Sequence, residues 1–360
     1  MGPDRIRSIL LCACIALALP ACAAAQEADA LRSRALAVFG TVAPVTRDEA
    51  DDPKAVLGQA LFWDARLSVN GRVACASCHV PEAWGADPRP FSLNARGALT
   101  SRHSQTIFNA VDVSAGLRWV ADRASGAAQA IGSITGSMGF DEPSDIVDVL
   151  LRHGYRPRFD EAFPNDADPV SVENFGLAIQ AYEETLRTPA RFDRWLQGDD
   201  GAMTDIELRG LERFIETGCA SCHNGALLGG GMLQPFGIVD EYRKHTGSAD
   251  ADPGLMRSTG DEADRYVFRV QPLRNVARTS PYFHDGSVAD LGTAIRIMAR
   301  VQLGLELDET DVEALVEFLA ALTGDVPENF RAPAWLAALD AAAANESDSS
   351  RGEPAPEPDR

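Results

Sequence analysis

The sequence predicts an all-α fold of two similar helical domains, on three observations. A Cys-x-x-Cys-His motif occurs twice, as Cys75-Ala-Ser-Cys78-His79 and Cys219-Ala-Ser-Cys222-His223. A capped amphipathic helix precedes each motif, and strand signals are sparse. The motif itself is the pattern of covalent haem c attachment: two thiols add to the vinyl groups, and the next His can reach the iron as proximal ligand. The chain therefore reads as two duplicated cytochrome c-like haem domains. Cys75, Cys78, His79, Cys219, Cys222 and His223 hold two covalently bound haems.

The competing reading is a zinc site or redox dithiols. Cys-x-x-Cys pairs that share one zinc usually lie about 15 to 20 residues apart. Here more than a hundred residues separate Cys78 from Cys219, and zinc does not require a His directly after both pairs.

Taken in chain order, residues 1–25 read as a secretory signal peptide. Arg5 and Arg7 supply the charge, Ile9 to Leu19 the apolar run, and Ala23-Ala24-Ala25 a cleavage site. Periplasmic export is expected; Cys22 as a lipoprotein anchor is the weaker alternative, because Pro20 fits that signal poorly. Of seven Cys, Cys12, Cys14 and Cys22 fall in the signal and the other four in the motifs, so no thiol is left for a disulfide.

The N-terminal domain is expected over 26–195. Asp52 can cap a helix with Pro53 at its first position, and Leu57, Ala60 and Leu61 share one face. Ser171 can cap another, carrying Phe175, Ala178, Ile179, Tyr182 and Leu186 and ending at Pro189. The C-terminal domain is expected over 196–335. It opens on the capping box Thr204-Asp205-Ile206-Glu207, followed by Leu208, Leu211 and Ile215 and a stop at Gly218. A late helix carries Val312, Leu315, Val316, Leu319 and Leu322. These stripes are core packing. From 341 to 360 the chain turns polar and Pro-containing, and a disordered tail is expected.

The formal charge is −20, and removing residues 1–25 takes away a net +1. Such acidity argues against nucleic acid as a partner and suits a small basic electron carrier, or simply solubility. What the irons do depends on their second axial position. His103, His153, His245, His284, Met138, Met203, Met232, Met256 and Met298 are the remaining candidates. By spacing alone, Met298 reads as a packed core residue on a helix.

Three runs resemble the bacterial di-haem cytochrome c peroxidases, part of a superfamily related to MauG. They are Leu61 to Ser68 (LFWDARLS), Arg265 to Gly286 (RYVFRVQPLRNVARTSPYFHDG) and Ala294 to Gly304 (AIRIMARVQLG). The resemblance covers about residues 30 to 330. It implies a C-terminal electron-transfer haem with His223 and Met298 as axial ligands, and an N-terminal haem on His79 that reduces hydrogen peroxide. His284 resembles a structural or haem-adjacent His of that run. Trp119 resembles a Trp that relays electrons between the haems, against a plain reading as buried aromatic. Gln129 resembles a distal-pocket residue that positions peroxide, against a reading as surface helix. The implied donor is a small cytochrome c or cupredoxin, and relatives are often homodimers.

The chain departs from the family pattern at three places. No His occupies the loop near Ala95, where many relatives carry a displaceable distal ligand. His103 is the nearby substitute, at a position where relatives carry a calcium-binding Asn. The distal Glu position is about Gly139; Glu142, with Asp141 beside it, is the acid expected to take its place, unless both are solvated loop acids. Thr279 and Pro281 resemble carbonyl donors to calcium, which His103 would serve less well than an oxygen. The function implied is a cytochrome c peroxidase. The alternatives are an electron-transfer di-haem protein without peroxidase activity, and a MauG-like oxidase of a partner protein, which has a Tyr where Met298 stands.

Overall fold

A computed structural model describes residues 29–248 and 252–339. The expected signal segment and the expected tail over 341–360 lie outside the described residues. Helices dominate; one two-stranded antiparallel ribbon pairs Leu233–Pro235 with Val267–Arg269.

The local expectations for the main helices hold, because their signals are local. Asp52 caps Pro53–Trp63 by accepting from the Lys54 N–H. Ser171 caps Val172–Glu184 by accepting from the Asn174 N–H. Glu207 accepts from the Thr204 N–H at 2.7 Å at the head of Asp205–Glu216, and Gly218 follows that helix at φ 93°. One boundary differs. The helix from Val172 ends at Glu184, not at Pro189, because the Thr185 hydroxyl turns back to the Tyr182 carbonyl and closes the last turn.

The same helix crossing occurs twice. Pro53–Trp63 lies against Val172–Glu184, and a Cβ at Gly58 would fall 1.8 Å from the Ala178 carbonyl oxygen. Asp205–Glu216 lies against Glu309–Ala321, and a Cβ at Gly210 would fall 1.9 Å from the Ala314 carbonyl oxygen. In each pair an aromatic closes the crossing: Phe62 meets Tyr182 at 5.5 Å between centroids, and Phe214 meets Phe318 at 5.3 Å.

Each crossing is the centre of a core, but the two cores do not follow a single cut in the chain. Leu31, Ala35 and Phe39 pack into the second core with Phe192, Trp195 and Phe318. Phe330 and Leu336, near the other end, pack into the first core with Phe62 and Tyr182. A division at 195/196 therefore describes the helix pairs and not the segments that wrap across them. A buried ion pair anchors one such segment: Arg274 holds Asp193 at 2.7 and 2.8 Å, and Asp193 also accepts from the Val42 N–H at 2.8 Å.

Candidate functional site: two histidine–dithiol centres

Each Cys-x-x-Cys-His motif starts on a single 3-10 turn, Cys75–Ser77 and Cys219–Ser221, directly beside its helix crossing. The chain then bends back and a carbonyl captures the imidazole. His79 Nδ1 lies 2.8 Å from the Gly85 carbonyl oxygen, and His223 Nδ1 lies 3.2 Å from that of Leu228. A carbonyl can only accept, so Nδ1 carries the proton and Nε2 presents its lone pair, as a metal ligand requires. Burial holds both imidazoles below the usual His range, which keeps that lone pair free at neutral pH. Phe62 stands 6.2 Å from His79 and Phe214 stands 6.4 Å from His223. The two centres thus share one local construction.

The four cysteines lie in two separate pairs and form no disulfide among the described residues. Among the described residues, no three or more His, Cys, Asp or Glu side chains converge as a metal site, so the pairs do not combine into a four-cysteine centre. Burial pushes the Cys75 thiol up to about 12, with Glu183 adding to the effect.

The second centre opens into a cavity of about 510 Å³, within the range of cofactor pockets. Cys219, Cys222, His223 and Met298 all line it, so the expected axial pair faces one space. Leu291–Met298 carries the methionine in its last helical turn, with Asp290 capping its start. The surface of the cavity is mostly apolar, and two of its polar side chains are buried with atoms that have no partner: Nε and Nη1 of Arg269, and Nε2 of His284. An apolar space bounded by two thiols, an imidazole and a thioether, and facing a buried cation, fits a haem with its acidic edge.

The other expected residues fall as follows. Trp119 borders the second cavity, and its Nε1 donates to the His103 carbonyl at 2.8 Å. His103 borders the same cavity with Nδ1 engaged to the Arg89 carbonyl at 3.1 Å. Thr279 and Pro281 also border it; their carbonyls offer the oxygen a hard cation takes, which the imidazole at 103 does not. Gln129 is half-buried on Gly126–Thr135, and its amide has no partner among the described residues.

Glu142 lies at the surface. It is exposed near the head of Asp145–Arg152, its N–H donating to Asp145 at 3.1 Å, and Asp141, also exposed, pairs with Arg96. A solvated carboxylate is a poor shielded proton donor, and Arg96 also donates to the Gly139 carbonyl at 2.7 Å.

Two functional-looking groups escaped the sequence reading. Glu183 is buried beside Cys75, and burial raises its carboxyl to about 8. Its signal was available: it falls four residues after Ile179, on the apolar face of its helix. Arg269 sits inside the otherwise apolar run Val267 to Val270, and charge within a buried strand is the corresponding signal.

A family model described as di-haem cytochrome c peroxidase matches residues 52–201. The chain is 39% identical over 310 residues to the cytochrome c551 peroxidase of Pseudomonas aeruginosa, covering 84% of this chain and 88% of that one. It is 29% identical to the methylamine utilization protein MauG of Methylophilus methylotrophus, over 75% of this chain and 82% of that one. Among solved structures, a MauG-like protein associated with microbial copper homeostasis superposes with a TM-score of 0.69 at 28% identity, covering 81% of this chain and 96% of that one.

Proposed function

Because the chain belongs to the di-haem cytochrome c peroxidase family, we propose that it reduces hydrogen peroxide to water at the His79 centre with electrons admitted at the His223/Met298 centre. It is an oxidoreductase acting on peroxide. The two centres are read as duplicated haem domains carrying haem c on Cys75/Cys78 and Cys219/Cys222.

The observation that carries this reading is the asymmetry of the two centres. His223 shares its cavity with the Met298 thioether, a ligand that stabilises the reduced state and suits electron transfer. For His79 we assign no second axial ligand, and that iron face is the one we propose for peroxide. When bound, the haems supply the redox chemistry of O–O cleavage. The chain's own part is ligation, orientation and access. The Gly85 and Leu228 carbonyls fix the ring tautomers. Gln129, with an uncommitted amide, is the side chain we assign to orient peroxide. Trp119 is the one we assign to pass electrons between the centres. With Glu142 at the surface, proton delivery is not assigned to it.

The donor we propose is a small basic cytochrome c or cupredoxin, matched to the acidic chain, and the setting is the periplasm after export on residues 1–25. The test is steady-state oxidation of a reduced small cytochrome c by the haem-loaded protein, with and without hydrogen peroxide. Peroxide-dependent turnover is expected. Its absence, with both haems attached, would turn the reading toward electron transfer alone.

A further inference from the structure

We propose that Arg269 is an anion clamp for a carboxylate of the cofactor in the second cavity, a haem propionate on the reading above, and that Gln105 and Gln271 hold the guanidinium ready for it. The residue is 6% exposed and borders that cavity. Nη2 donates to Gln271 Oε1 at 3.0 Å and to Gln105 Oε1 at 3.4 Å, while Nε and Nη1 have no partner. No Asp or Glu pairs with it among the described residues. Arg274 shows what this chain does with a buried arginine that needs no ligand: Asp193 neutralises it through two hydrogen bonds.

A buried guanidinium with two idle donors is costly unless a negative group completes it. Burial alone, with no acid opposing it, lowers the Arg269 guanidinium to about 10, still charged at neutral pH. Among the described residues no Asp or Glu lines the cavity it faces, so the anion that completes the guanidinium enters with the ligand. Both a carboxylate and the fork of an arginine favour this pairing geometrically.

The mount is built from both halves of the molecule. Gln105 follows the first motif and Gln271 the second, and their side-chain amides bond directly to each other. The backbone carbonyl of Gln105 also faces the His79 ring, as that of Gln271 faces the His223 ring. The Arg269 N–H donates to the Trp119 carbonyl at 2.7 Å, tying the clamp to the residue assigned to electron relay. The clamp therefore stands at the junction of the two centres, and its charge acts on the second one, whose cavity it borders.

The experiment is a redox titration of the haem-loaded Arg269→Gln and Arg269→Lys variants, with covalent haem counted by denatured absorbance and mass, and folding checked by far-UV circular dichroism. Removing a cation next to an iron favours the oxidised state. The transition of the C-terminal haem should fall in Arg269→Gln, stay near the wild-type value in Arg269→Lys, and leave the N-terminal transition in place. An unchanged C-terminal transition with two haems attached would overturn the clamp. So would a fall that Lys does not restore in a normally folded protein. Failure of the wild-type chain to carry haem on its cysteines would instead overturn the reading on which the clamp rests.

Discussion

Gly210→Ala should destabilise the protein by about 2–3 kcal/mol, and the structure shows why. A methyl there would sit 1.9 Å from the Ala314 carbonyl oxygen and 2.7 Å from Phe318 Cβ. Ordinary contact begins near 3.4 Å, so helix Asp205–Glu216 must move about 1.5 Å away from Glu309–Ala321. The obstacle is backbone and cannot rotate aside, which places the cost at or above the upper end of the 1–3 kcal/mol typical of overpacking. Alanine returns about 1 kcal/mol through its better helix propensity. The displaced helix carries Phe214, which packs on both His223 and Phe318, so the second centre should loosen with it. Urea unfolding of the haem-loaded protein by circular dichroism measures the effect. Gly201→Ala, whose new methyl would meet only Asp199 Oδ1 at 3.6 Å, is the control. Equal stability of the two variants within about 0.5 kcal/mol would refute the close-crossing argument. Gly58→Ala should behave likewise in the first half, where the clash is 1.8 Å.

Three further outcomes are expected. Arg274→Met should cost about 3–5 kcal/mol by leaving the buried Asp193 carboxylate without its cation, and adding Asp193→Asn should recover part of it in a double-mutant cycle. Glu183 keeps its proton in the folded chain up to about pH 8 while the unfolded chain loses it near 4.5, so stability should fall as pH rises through that window; Glu183→Gln should flatten the slope, which chemical unfolding at pH 5, 7 and 9 would detect on the scale of a few kcal/mol. Glu142→Gln should leave peroxide turnover within about two-fold, since an exposed carboxylate contributes little shielded proton transfer; a loss of tenfold or more would return it to the site.

The sequence by itself determined what depends on neighbours along the chain. The two dithiol–histidine motifs, the caps at Asp52, Ser171 and Thr204, and the apolar faces of the paired helices are short-range patterns, and each survives in three dimensions. Tertiary structure alone decided the rest. Gly58 and Gly210 read as poor helix residues until a carbonyl of a helix more than a hundred residues away is seen to fill the space a side chain would need. The exchange of residues 29–39 and 326–339 between the cores leaves no local trace, since an apolar stripe says that it is buried and not against what. Glu142 is near the missing acid's position in sequence, but its exposure, beside an Asp141 paired with Arg96, is visible only in the fold. Arg269 acquires its meaning only from Gln105, Gln271 and the cavity in front of it, because folding strips the charge of water, braces one nitrogen and leaves the other two without a partner.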